Sequence, residues 1–198
     1  MPPLEKHCEA LKLYSNILKC SDSATAEAIA FRVPLSAEAG PEERRLWINT
    51  AMKELSLHFD RQSVWNIRMG CHCETGLTAL VRLLRNCRNA ASSFSSFGEL
   101  LQTLSTEYFG DEYLYVKDNY IYRNLYSCPC PMLKGISSLE GPEWCYCTGG
   151  YHKAALETAF ERPVRVELLQ SVMQGADCCR YRFSFDCGDP FTQRAAEC

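Results

Sequence analysis

Apolar side chains recur at helical spacing through the first half of the chain. This spacing predicts four long helices, at residues 3–19, 42–59, 74–87 and 96–107. In the second of these, one stripe collects five apolar positions: Leu46, Ile48, Met52, Leu55 and Phe59. Between the first two helices, Ser21, Asp22 and Ser23 can cap a short additional helix.

The pattern changes to a period of two in the second half, which is typical of strands. Residues 113–117 and 120–126 flank Asp118-Asn119, two residues that tolerate positive φ, and this indicates a β-hairpin. A loop at 128–144 and a helix at 148–160 follow. A second hairpin then joins a strand at 163–172, with Val164, Val166 and Leu168 on one face, to a strand in which aromatic residues alternate with polar ones.

These elements predict an α+β fold in which two hairpins share one antiparallel sheet with helices on one face. The chain has 198 residues, enough for one core without covalent crosslinks. We expect an N-terminal helical region at 1–60, a cysteine-rich α+β ligand- or metal-binding domain at 61–187 and a tail at 188–198.

Charge and hydropathy exclude two classes of partner. The formal net charge is -3 and no basic run is present, so a nucleic-acid partner is not expected. Apolar stretches are too short to cross a bilayer, so no membrane partner is expected either. Glu5, Lys6, His7 and Glu9 stand where a signal peptide would be apolar, which favours a cytoplasmic location.

Cysteine is the unusual component, with 13 in the chain. Six of them form Cys-x-Cys pairs: Cys71 and Cys73, Cys128 and Cys130, Cys145 and Cys147. In a cytoplasmic protein such clusters favour metal or catalytic roles over disulfides. The six are therefore candidate ligands for zinc or for an iron–sulfur cluster, with no cofactor as the remaining alternative. The first and third pairs precede predicted helices, whose N-termini would lower the thiol pKa values.

The same region also allows nucleophilic catalysis. Cys147 would be the nucleophile, with the backbone N–H groups of Gly149 and Gly150 as an oxyanion hole. His72 or His152 would be the base. A ligand pocket is a further alternative, with Gly149 and Gly150 beside the ligand and tyrosines such as Tyr115 and Tyr122 lining it.

The second half resembles a known group of bacterial cysteine-rich proteins. The motifs are Cys128-Pro-Cys-Pro131, Trp144-Cys-Tyr-Cys-Thr-Gly-Gly150 and the closing segment from Ser171 through Gly175-Ala-Asp-Cys-Cys179 to Phe183. Their order is similar to that of proteins near the 4-vinyl reductase domain and the L-2-amino-thiazoline-4-carboxylic acid hydrolase-like family. The resemblance implies a fold like the ligand-binding domains of nitric-oxide-signalling and Golgi-transport proteins. The doubled Cys178-Cys179 departs from the pattern, and alternation places Cys179 with the aromatic face.

Three functions follow, in order of preference. The first is a cytoplasmic module that binds a small molecule or a metal ion through its cysteines. The second is a ligand-sensing or interaction module. A homodimer is an allowed state under each of these functions. The third is a cysteine-dependent hydrolase of a small cyclic amide or amidine-like substrate.

Overall fold

The structure, a computed structural model, describes residues 7–109, 114–186 and 188–191. The first residues of the predicted N-terminal helix, Tyr113 at the head of the first hairpin, residue 187 at the end of the predicted cysteine-rich domain and residues 192–198 of the predicted tail lie outside these ranges. Within them, no helix is both long and apolar enough to cross a membrane.

The described elements confirm the α+β class. The helices are α1 Cys8–Ile17, α2 Ser23–Ala30, α3 Pro41–His58, α4 Arg61–Gly70, α5 Leu77–Ala90, α6 Phe94–Phe109 and α7 Tyr146–Phe160. The strands are β1 Leu114–Lys117, β2 Tyr120–Leu125, β3 Val164–Gln170 and β4 Cys179–Phe185. Three short 3₁₀ turns cover Pro131–Leu133, Glu143–Cys145 and Val172–Gln174.

The chain divides into two compact units with limits unlike the predicted domain boundaries. The first takes its described residues from Met1–His72, Cys128–Thr148 and Met173–Gly175. The second takes them from Cys73–Ser127, Gly149–Val172 and Ala176–Cys198. The chain passes between the units several times, whereas each predicted region is one continuous stretch of the sequence.

The first unit is built on α1 to α4. The carboxylate of Asp22 accepts a hydrogen bond from the Thr25 N–H at 2.8 Å and caps α2, as predicted. Asp60 caps α4, a helix that the sequence pattern did not predict. In α3 the predicted stripe is partly wrong, because Leu46 is 59% exposed and the neighbouring Trp47 is buried instead.

The second unit contains the sheet, with antiparallel strands in the order β1-β2-β4-β3. Asp118 and Asn119 have φ values of 51° and 62°, so they form the tight turn predicted for the first hairpin. One face of the sheet is apolar and packs on α5, α6 and the later part of α7 in a single core. Cys179 is on that face and buried, as alternation predicted.

Glycine lets α7 approach the sheet closely. A Cβ built on Gly149 would lie 2.9 Å from Cγ1 of Val166 in β3 and 3.3 Å from the Tyr181 ring in β4. Real Cβ atoms essentially never show the first of these distances, so only glycine fits this contact without a shift of a neighbouring side chain or of the backbone.

Candidate thiolate site

Three of the predicted cysteines lie on separate segments of the first unit. Cys71 ends α4 as its C-cap, so it follows a helix; the prediction that it sits at a helix N-terminus is wrong. Cys130 lies in the loop after β2 and immediately precedes a 3₁₀ turn that begins at Pro131. Cys147 lies in the first turn of α7. Cys130 and Cys147 are half-buried, whereas Cys71 is buried.

The thiols of Cys130 and Cys147 are hydrogen-bonded to each other. This bond lowers the pKa of Cys130, because the Cys147 S–H donates to the Cys130 sulfur and favours its thiolate form. Desolvation acts in the opposite direction, and a hydrogen bond from the Met132 backbone lowers the pKa again. Cys130 is therefore the more acidic thiol of the pair.

The partner thiol responds in the opposite sense. The pKa of Cys147 is raised well above the ordinary thiol value of 9.0, first because its proton is held by Cys130 and second because the group is desolvated. The positive charge of Arg68 lowers it only in part. Cys147 was the expected nucleophile, activated by a helix N-terminus, but these causes make Cys130 the more readily ionised of the two thiols.

Arg68 supplies a buried positive charge beside these sulfurs. Its side chain has no exposed surface, and its guanidinium carbon lies 3.6 Å from the centroid of the Trp144 ring. Nη2 donates to the Trp144 carbonyl oxygen at 3.1 Å, but Nε and Nη1 have no hydrogen-bond partner. Burial alone would lower the pKa of Arg68, yet the negative charges available at Cys71 and Cys147 and, more weakly, at Glu9 and Cys130 raise it.

Cys71 stays protonated beside this cation. Its thiol donates to the Ile67 carbonyl oxygen at 3.2 Å and accepts from Nδ2 of Asn16 at 3.7 Å. Desolvation raises its pKa, and the attraction of Arg68 offsets this only in part. Cys71 is therefore a satisfied, buried thiol and not a second thiolate.

The other paired cysteines take different positions. Cys128 is half-buried near Cys130 and its negative charge opposes ionisation there. Cys145 is buried at the end of a 3₁₀ turn, and Cys73 is exposed and belongs to the second unit. In the part of the chain that the structure describes, no three cysteine, histidine or acidic side chains are arranged to hold a metal ion. A zinc or iron–sulfur centre made of the six cysteines stays a prediction.

The family comparison agrees with the extent of the fold. Residues 4–186 match a family of unknown function, DUF6144. The chain belongs to the DUF6144 family. No curated protein matches it significantly. The family description assigns no activity, so the resemblance to the vinyl reductase and hydrolase-like groups stays a prediction for this DUF6144 protein.

The two histidines predicted as catalytic bases belong to different units of this DUF6144 chain. His72 is half-buried and follows the C-cap of α4. His152 is 3% exposed within the second unit, where its Nε2 accepts a hydrogen bond from Nε of Arg123 at 3.1 Å. That nitrogen is occupied by a guanidinium donor, so it is not available to take a proton from a substrate.

The predicted ligand-contacting residues also have structural roles. Gly149 and Gly150 are buried inside α7, and the close approach to β3 accounts for glycine at the first position. Tyr115 and Tyr122 pair across β1 and β2 with their rings stacked at 5.1 Å. Both tyrosines point away from the helix-covered face, because their sequence neighbours Leu114 and Ile121 are in the core. Their role in ligand binding stays a prediction.

Arg68 and Trp144 are the site residues that the sequence analysis missed. Val64, Ile67, Arg68 and Cys71 recur at the spacing of one helix face, and the other three are apolar and buried. An arginine on an apolar stripe was therefore the available signal for a buried charge.

Proposed function

We propose that this DUF6144 protein binds small, soft electrophilic molecules through the thiolate of Cys130. The observation that carries the proposal is the hydrogen bond from the Cys147 thiol, which stabilises negative charge on a half-buried sulfur. The thiolate is the nucleophilic form of cysteine, so lowering its pKa increases the reactive fraction at neutral pH.

The surroundings of Cys130 support a binding role. The first unit supplies a nearby buried cation in Arg68 and a wall formed by the Trp144 ring. A low-polarity wall strengthens electrostatic interactions, and the charge of Arg68 acts on Cys130 more weakly than on Cys71 or Cys147. His152 has its Nε2 engaged by Arg123, so hydrolysis has less support than binding.

The test is the pH dependence of alkylation. Iodoacetamide labelling, followed for each cysteine by peptide mass spectrometry, should give an inflection for Cys130 below the ordinary thiol value of 9.0. The Cys20→Ser variant, which changes an exposed thiol, is the control and should leave the Cys130 profile unchanged. An inflection for Cys130 at or above 9.0 would refute the proposal.

A thiophilic metal ion is the second candidate ligand, favoured by the contact between the Cys130 and Cys147 sulfurs. Two thiolates suit a soft ion such as Cu(I), whereas structural zinc and iron–sulfur clusters usually take four protein ligands. Elemental analysis after anaerobic loading with Cu(I) tests it. The native chain should retain about one ion under chelator challenge and the Cys130→Ser/Cys147→Ser variant should retain none.

A further inference from the structure

A cavity of about 270 Å³ lies between α3 and the loop that follows the Pro131–Leu133 turn. Its lining residues all belong to the first unit, and neither Cys130 nor Cys147 is among them. Ile48, which is buried, and Met52, which is half-buried, give the cavity its apolar part. Pockets for drug-sized ligands measure roughly 300–1,000 Å³, so this cavity suits a smaller molecule.

The loop that forms one wall of this cavity is held from both sides. Toward α3, Nδ2 of Asn49 donates to Oε1 of Glu140 at 3.3 Å, and Oδ1 of Asn49 accepts from the Glu140 N–H at 3.5 Å. On the other side, the Leu139 N–H donates to the Met173 carbonyl at 3.3 Å, and the Leu139 carbonyl accepts from Nε2 of Gln174 at 3.0 Å. The wall is therefore in place before a ligand enters, which lowers the cost of binding.

Two opposite charges line the cavity without pairing. Lys53 of α3 and Glu143 both line it, and neither side chain forms an ion pair or a hydrogen bond with any residue that the structure describes. Glu143 is half-buried, and a Cβ built on Gly141 would collide with its Oε2. Glycine at position 141 thus leaves room for this carboxylate. An ammonium group and a carboxylate that share a cavity but do not pair with each other are both available to a ligand.

We infer that this cavity binds a small zwitterion of the aliphatic α-amino acid class. Lys53 pairs with the ligand carboxylate, Glu143 pairs with the ligand ammonium group, and Ile48 and Met52 contact the aliphatic side chain. A ligand with only one of the two charges would leave either Lys53 or Glu143 without a partner. This site is separate from Cys130 and does not depend on the acidity of that thiol.

Leucine is the probe, and two analogues that each lack one charge are its controls. Isopentylamine is leucine without the carboxylate, and isocaproate is leucine without the amino group. Isothermal titration calorimetry of the native protein at neutral pH should show saturable binding of leucine. Each analogue should bind about fivefold more weakly or worse, because each gives up one solvent-screened ion pair.

Two variants assign the two charges. Lys53→Met should weaken leucine binding by about fivefold and remove the preference for leucine over isopentylamine. Glu143→Gln should weaken it by a similar factor and remove the preference over isocaproate. The matched controls are Lys134→Met and Glu38→Gln, which change exposed residues of the same unit outside the cavity and should bind leucine like the native chain.

Three outcomes would overturn the inference. The native protein could fail to bind leucine, it could bind one analogue as tightly as leucine, or the control variants could lose as much affinity as Lys53→Met and Glu143→Gln. The comparison of the three ligands needs only the native chain, so a variant that fails to fold does not remove the test.

Discussion

Replacing Cys147 should change the pKa of Cys130, although Cys130 itself is not mutated. In Cys147→Ala the hydrogen bond to the Cys130 sulfur is lost. Hydrogen bonds to charged groups contribute about 1.5–3 kcal/mol, and a thiol is a weak donor, so we take about 1.4 kcal/mol. That free energy corresponds to a rise of about one unit in the pKa of Cys130.

Two opposing effects determine how fast Cys130 is alkylated in this variant. Well below both pKa values, a rise of one unit leaves about tenfold less thiolate, while each thiolate becomes roughly threefold more nucleophilic. Alkylation of Cys130 at neutral pH should therefore slow by roughly threefold in Cys147→Ala. Above both pKa values the order reverses, and the variant should react roughly threefold faster than the native protein.

Serine at the same position is the matched control. The Cys147→Ser hydroxyl can still donate to Cys130, so its pH–rate profile should stay close to that of the native chain. Peptide-resolved iodoacetamide kinetics between about pH 6 and 11 give both profiles. If the profiles of the alanine variant and the native protein coincide, or if they differ without crossing, the hydrogen bond does not control Cys130.

Three further changes test the surroundings of the site and the fold. Gly149→Ala should lower the free energy of unfolding measured in urea by about 1–3 kcal/mol, because the added Cβ meets a β3 side chain at 2.9 Å; an unchanged unfolding curve would contradict this close approach. Arg68→Met should raise the pKa of the Cys147 thiol further, since the attraction of the cation is lost, so iodoacetamide should label Cys147 more slowly than in the native chain; an unchanged labelling rate would contradict the assigned role. The raised pKa of Cys71 contributes stability that is complete below pH 9.0 and is lost as pH rises through the raised value. Above pH 9.0 the free energy of unfolding of the native chain should therefore fall by up to about 1.4 kcal/mol per pH unit more than that of Cys71→Val. If urea unfolding gives the two proteins the same dependence on pH, Cys71 does not titrate in this way.

Local rules were sufficient for most of the sheet. Asp118 and Asn119 predicted the first turn because few residues adopt positive φ in succession, and alternation placed Cys179 in the core. Helix α4 escaped prediction because its buried stripe includes Arg68, which hydropathy scores as surface. Leu46 in α3 was assigned to the core, although neighbouring Trp47 fills that space.

The sequence indicated which cysteines could form the candidate site, but not which of them lie close together. Spacing alone made the six paired cysteines equivalent, but their environments differ: Cys73 is exposed, Cys71 is buried and satisfied, and Cys130 meets Cys147. The distinction comes from where the loop places the sulfur of Cys130, which is 17 residues before Cys147 in the sequence, and no local pattern encodes that contact.

One shared proton explains why the two thiols differ in acidity. A hydrogen bond between two sulfurs has a single donor, so the interaction that lowers the pKa of Cys130 raises that of Cys147, and the two protons leave in separate steps, Cys130 first. Arg68, whose Nε and Nη1 have no hydrogen-bond partner, acts differently on the two sulfurs. Its charge lowers the pKa of Cys147 and interacts more weakly with Cys130. The arginine alone would therefore make Cys147 the more acidic thiol, and the opposite order follows from the hydrogen bond between the two sulfurs.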